Sequence, residues 1–174
     1  MIIVDTHCHA GLDKYEPIES LIYQMGQAGV DKAILIQHQG NTNNSYHVEC
    51  LKSYPGRFVA AMIVERSDTG EKLRYWAEQG IVGIRLSADS RAEAADPLAQ
   101  WRTANELNLV VSLPCRPSTL LGKEFAEVLK AFPNLQIVIE HLGGIGLEAE
   151  PPYDEFKRVL ALAKYPNLNI KLPG

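Results

Sequence analysis

Cysteine is scarce in this 174-residue chain, and its three thiols, Cys8, Cys50 and Cys115, are too few and too scattered for a disulfide framework. That excludes a stapled secreted scaffold and suits a reducing compartment. Basic residues are not in excess either: 17 Lys and Arg stand against 21 Asp and Glu, for a net charge of −4. Such a balance argues against a nucleic-acid surface, which is held together by positive charge. No apolar run is long enough to cross a bilayer, and the amino terminus enters a strand without a charged leader, an apolar helix or a small-residue cleavage site. The expectation is a cytoplasmic protein that takes a small-molecule substrate and binds neither nucleic acid nor membrane. Also missing is the glycine fingerprint that follows the first strand of dinucleotide-binding doubly wound sheets.

What the chain does have is alternation. Apolar, β-branched runs begin near residues 2, 32, 58, 81, 109, 136 and 168, and the later six extend over 32–37, 58–64, 81–86, 109–113, 136–140 and 168–172. These runs are mostly continuous, as strands buried on both faces should be. Between them the apolar residues switch to helical spacing, as in Ile18, Leu21, Ile22 and Met25, or Phe125, Val128, Leu129 and Phe132, or Phe156, Val159, Leu160 and Ala163. Asp96-Pro97 reads as a helix cap and first helical residue, and Gly29, Gly80 and Pro133-Asn134 read as stops.

A regular β/α repeat with right-handed crossovers predicts a (β/α) TIM-type barrel, with residues 1–174 as one domain. A doubly wound open sheet is the runner-up. A complete eight-stranded barrel typically takes about 250 residues, and the observed rhythm would start strand eight beyond Gly174. The expected fold is therefore a barrel truncated after strand seven, with a seam between its first and last strands.

The first strand ends in Asp5-Thr6-His7-Cys8-His9, where two imidazoles stand two residues apart and so share one face. Neutral imidazole is the commonest metal ligand, and barrels build their sites at the carboxyl ends of strands. Cys8 faces the other way and reads as packing. A second segment, residues 132–144, delivers His141 to the end of strand six, and Gly143, Gly144 and Gly146 read as a tight turn that clears space beside it. In a barrel His7, His9 and His141 converge.

Arg85, at the exit of strand four, offers a planar fork for a substrate carboxylate or hydroxyl, with a salt bridge to a neighbouring loop as the competing role. Gln37 follows strand two and is the other candidate substrate contact, beside His38 and Gln39. His47 falls within the predicted second helix and reads as surface. Glu71, Glu78, Asp154 and Glu155 read as solvated helix faces. Cys115 has no histidine partner in its segment and is not expected to act as a nucleophile. Lys171 either points into the barrel or snorkels outward.

Five segments occur in order that resemble the amidohydrolase-related family of the amidohydrolase superfamily: DTHCH at 5–9, YPGRFVAAMIV at 54–64, GIRL at 83–86, FPNLQIVIEHLGG at 132–144 and NLNIKLPG at 167–174. The resemblance is nearer to the branch of metal-dependent hydrolases and lactonases than to the zinc decarboxylases. It implies that His7 and His9 are the strand-one pair and His141 the strand-six histidine. It also exposes departures. Arg85 stands where two-metal members carry a bridging lysine, and a guanidinium cannot serve as that ligand. The stretch Val111-Ser112-Leu113-Pro114-Cys115 lacks a strand-five histidine, and Pro173 replaces a small polar residue before the last glycine. The family's water-activating aspartate belongs to strand eight and has no counterpart in this sequence.

The implied reaction is hydrolysis of a lactone or related ester or amide bond by an activated water. One divalent ion, zinc by ligand preference, would sit on His7, His9 and His141 and polarise the carbonyl. Without a metal the same rings would form an oxyanion site. Three alternatives stand beside this reading: a zinc-dependent decarboxylase of the same superfamily, a TatD-type metal-dependent nuclease, and an inactive truncated barrel serving as a binding module. The nuclease would need a glutamate at a later strand end, where strand four offers Gly83-Ile84-Arg85. Homo-oligomerisation is left open.

Overall fold

Short apolar runs with two buried faces need layers on both sides, and the chain supplies them by placing a helical segment after almost every strand. The computed structural model describes residues 1–145 and 151–172. Gly146 and Pro173, singled out above, lie outside the described residues. The elements run β1 (Val4–Cys8), α1 (Ile18–Ala28), β2 (Lys32–Ile36), α2 (Ser45–Ser53), β3 (Phe58–Met62), α3 (Glu71–Glu78), β4 (Gly83–Arg85) and α4 (Ala99–Glu106). They continue with β5 (Val110–Leu113), α5 (Pro117–Leu120), α6 (Lys123–Ala131), β6 (Ile137–Ile139), α7 (Asp154–Leu160) and β7 (Leu168–Ile170), with 3₁₀ turns at His141–Gly144 and Ala161–Lys164. Among the described residues seven strands form one sheet in sequence order, every neighbouring pair parallel. The fold is a (β/α) TIM-type barrel represented by seven units, with β1 and β7 at the two ends of the order.

Strands are shorter than the apolar runs that announce them, and hydrogen bonding explains why. Ile81 and Leu109 are buried like strand residues, but their N–H groups close the preceding helices, on Trp76 O at 3.2 Å and Ala104 O at 2.9 Å. They pack with the sheet without pairing in it. Helix α4 likewise starts later than Asp96-Pro97 suggests. The Asp96 carboxylate accepts from the Leu98 N–H at 3.0 Å, so it caps a turn that precedes the helix.

One apolar cluster unites Leu35, Met62, Ile84, Val111, Leu113 and Ile137 from the strands with Leu73, Trp101, Phe125 and Val128 from the helices. This cluster sets the strands rigidly, and their carboxyl ends therefore present side chains at fixed positions. Helix α7 differs. Its Val159 is buried, whereas Phe156 and Leu160 are exposed and line an apolar groove with Ile139, Leu142 and Ile170. Among the described residues no helix is long and apolar enough to cross a membrane.

Candidate active site

The β1–β2 ladder is not regular: Asp5 pairs with Ala33 and Cys8 with Leu35, so three steps on β1 oppose two on β2. Such a bulge re-aims the side chains it carries. Here it occurs at the segment bearing His7. The rings of His7 and His9 lie 5.1 Å apart between centroids, and those of His7 and His141 lie 4.6 Å apart. The three histidines are thus gathered at one end of the sheet, although His141 comes from β6.

His141 owes its place to an abrupt turn. The backbone takes φ of 48° at His141, 54° at Leu142 and 65° at Gly143. Left-handed conformations at two non-glycine residues in succession cost energy and cluster at functional sites. Gly143 also sits close against its neighbours, since a Cβ would lie 2.8 Å from Leu120 Cδ1 and that side chain would have to shift. The turn closes with the Gly143 N–H on Glu140 O at 2.8 Å.

Glu140 is the residue that the sequence reading missed. It is 1% exposed and receives a bidentate guanidinium, Arg85 Nε to Oε1 at 3.0 Å and Nη2 to Oε2 at 2.7 Å. The Ser112 hydroxyl donates to Oε1 at 2.7 Å. A usable signal was present. Arg85, Ser112 and Val138 are in register across β4, β5 and β6, so they share a pleat, and Glu140 follows Val138 by two. Burial works to raise the Glu140 carboxyl, but the Arg85 and Ser112 bonds outweigh it and hold it below the usual carboxylate range.

These contacts decide what the other predicted residues are doing. Arg85 lines the cavity, yet its fork is occupied by Glu140, and its Nη1 donates to Gln37 O at 3.1 Å. Its ion pair is with a strand-end carboxylate rather than with a loop. Gln37 is buried and does not line the cavity. Its side-chain amide donates to Asn43 O at 2.9 Å and its Oε1 accepts from the His38 N–H at 3.0 Å. Lys171 reaches inward from the end of β7 and donates to Thr6 O at 2.7 Å, linking the two outer strands.

The protonation states follow from burial. It pushes the His7 imidazole down to about 4, helped by Lys171 and the two other rings and opposed by Glu140. His9 is lowered too, by burial first and the nearby Arg85 charge, against a bond to Ile36 O that works the other way. That bond, 2.7 Å from Nδ1, fixes the tautomer: the carbonyl can only accept, so Nδ1 carries the proton and Nε2 keeps a lone pair. Tyr15 stacks on the His9 ring at 4.4 Å and 16°. Cys115 lines the cavity, but burial and the Glu140 charge push its thiol up to about 12, which keeps it protonated and inert.

His47 corrects an expectation. It is 2% exposed rather than on the surface, because the face of α2 that carries it packs beneath the loop after β1, where its ring meets the Ala10 backbone. Its Nδ1 is buried without a hydrogen-bond partner among the described residues, and burial pushes its pKa down to about 4.

The strand ends open into a cavity of about 790 Å³ whose wall includes His7, His9, His141, Tyr15, Lys14 and Arg116. Glu155, expected on a solvated face, also borders it. Among the described residues neither Lys14 nor Arg116 is paired with a carboxylate. His7, Glu140 and His141 each bring one donor atom within 4.8 Å of the others, and no nitrogen of His9 joins that group. His7 Nδ1 is buried and has no partner among the described residues. Two imidazoles and a carboxylate make a three-donor set that fits one divalent ion.

The sequence matches the Amidohydrolase family over residues 4–174. Among solved structures it is similar to a probable 2-pyrone-4,6-dicarboxylic acid hydrolase of Acinetobacter baumannii with citric acid bound, at 25% identity and a TM-score of 0.78, covering 100% of this chain and 71% of that one. A Pseudomonas putida protein with the same provisional designation gives 20% identity and a TM-score of 0.82, covering 99% and 69%. An amidohydrolase of Burkholderia multivorans with bound zinc gives 17% and 0.68, covering 100% and 70%. The latter two likenesses speak to the fold alone. No curated protein matches the chain.

Proposed function

The chain belongs to the Amidohydrolase family, and from that premise we propose that it forms a single domain over residues 1–174 and hydrolyses a lactone, or a related ester or amide bond, in a small carboxylated molecule. The observation that carries this reading is the cavity itself, lined by three histidines and by two cations, Lys14 and Arg116, that pair with no carboxylate among the described residues. A carboxylate of the substrate meets the cations while its carbonyl meets the rings. The Acinetobacter baumannii relative supports this, since a dicarboxylic acid is its named substrate and citric acid its ligand.

The rings divide the work. His7 is neutral near pH 7 because burial lowers it, and a neutral imidazole donates one N–H, so in the absence of a bound ion His7, with His141 beside it, hydrogen-bonds a carbonyl oxygen as negative charge grows on it. His9 has spent its N–H on Ile36 O, and its Nε2 lone pair accepts a proton or hydrogen bond from the attacking water. A divalent ion bound among these residues would polarise the carbonyl and lower the pKa of bound water. Arg85 holds the carboxylate of Glu140 and shapes the floor.

The test is hydrolysis by the purified chain of paired lactones that differ by one carboxylate. Carboxylated lactones should be opened in preference to their uncharged counterparts, and the double variant Lys14→Met, Arg116→Met should remove that preference by raising KM about tenfold or more, the cost of a lost charge-assisted contact. Failure to hydrolyse any lactone, ester or amide of either class would overturn the reading.

A further inference from the structure

We propose that the cation site of this chain is built from His7, Glu140 and His141, with Glu140 as the third ligand in place of His9, and that Arg85 and Ser112 are positioning residues for that carboxylate. The inference deepens the reading above, since it concerns the same cavity, but it stands on its own geometry. The donor atoms of these three residues lie within 4.8 Å of one another, and His9 contributes none to the group. His7 also keeps a buried ring nitrogen, Nδ1, with no partner among the described residues.

Hydrogen-bond counting shows that Glu140 has room for a ligand role. A carboxylate offers about four lone-pair sites. Oε1 accepts from Arg85 Nε and Ser112 Oγ, and among the described residues Oε2 accepts from Arg85 Nη2 alone. One site on Oε2 therefore remains for monodentate ligation without breaking the ion pair. Ligating carboxylates are themselves usually hydrogen-bonded, and those outer partners fix their orientation. Ser112 thus stands near the place where relatives with a strand-five ligand would show a histidine, and acts on the carboxylate instead. The guanidinium reduces the net charge offered to the ion, so the site binds more weakly than one with a free carboxylate. His9, stacked on Tyr15 and tied to Ile36 O, is left to the water.

The experiment is a zinc titration of the metal-free full chain, followed by calorimetry and by nitrogen-15 NMR of the histidine rings, which requires no substrate. One equivalent of zinc should shift ring nitrogens of His7 and His141 while the Nδ1–H of His9 keeps its signal. Glu140→Gln should weaken zinc binding about tenfold or more, and Ser112→Ala, which leaves the Arg85 pair intact and so guards against a misfolded Glu140 variant, should weaken it about tenfold, as outer partners of metal ligands commonly do. His9→Gln should hold zinc within about threefold of the parent while losing hydrolysis, a split that separates this inference from the proposed reaction. A His9 ring that shifts with the others, a His9→Gln variant that loses zinc as His141→Ala does, a Glu140→Gln variant with unchanged affinity, or a parent chain that takes up no stoichiometric zinc would each overturn the proposal.

Discussion

Met62, Ile84, Val111 and Leu113, on strands β3 to β5, are 0% exposed, whereas Ile3 and Val4 by β1 and Ile170 on β7 are each 46% exposed. The middle of the sheet is held by packing, and its two ends are held by polar tethers: Lys171 to Thr6 O, and His9 to Ile36 O. The candidate site straddles both regimes. Arg85 and Ser112 stand on the packed middle, Glu140 and His141 on the neighbouring β6, and His7 and His9 on the outer strand. A rigid floor is thereby combined with a strand whose position depends on a few hydrogen bonds, and substitutions in the two regions should behave differently.

The largest expected contrast is between core and edge. Leu113→Ala removes a fully buried side chain and should cost about 2–5 kcal/mol. Ile3→Ala, at a position already open to solvent, should fall within about 0.5 kcal/mol of the parent. Urea unfolding of the two variants checks the difference, and equal costs would break the comparison.

Next in size is the response to pH. Burial lowers folded His47 to about 4 from an ordinary 6.5, so as pH falls the unfolded chain takes up the proton first. Stability should be complete above about pH 6.5, decline as pH falls through the interval down to about 4, and level off below it. For this one group the loss is on the order of 3 kcal/mol. His7 is lowered to about 4 as well and adds in the same direction. His47→Gln should flatten the pH dependence of the urea midpoint between pH 7 and 4 by the His47 share. An unchanged slope would show that the ring beneath the β1 loop is not held neutral by burial.

The order of strands and helices was legible because continuous β-branched runs and helical spacing are local signals, although the strands themselves are shorter than those runs. What escaped reading depends on register or on packing between distant segments. Glu140 becomes the partner of Arg85 only when β4, β5 and β6 are aligned, which no local period specifies. His47 is buried because the loop after β1 lies over α2, and a helix with a polar composition carries no mark of that contact. Asp96 has the residue type of a cap and uses it, but on a turn rather than on α4 itself. The apolar face of α7 has helical spacing and yet remains partly exposed, since spacing shows a face and not its partner.

The smallest effect, and the sharpest test of the tether idea, concerns Lys171. Its ammonium spans from the end of β7 to the Thr6 carbonyl at 2.7 Å, while burial and the nearby Arg85 charge lower its pKa against the pull of Glu140 and Asp5. Lys171→Met keeps the apolar stem and removes the donor. A hydrogen bond from a charged group contributes about 1.5–3 kcal/mol at most, and part of that is offset because the ammonium no longer has to leave water, so the global cost should be about 1 kcal/mol. The local cost should be more visible. Amide exchange across residues 5–9 should accelerate in Lys171→Met, while amides of β4 and β5 keep the protection of the parent, because local opening draws on the contacts of one segment and global unfolding on all of them. Equal acceleration in both regions would mean that Lys171 belongs to the common core, and that β1 is held by the same packing as the middle of the sheet.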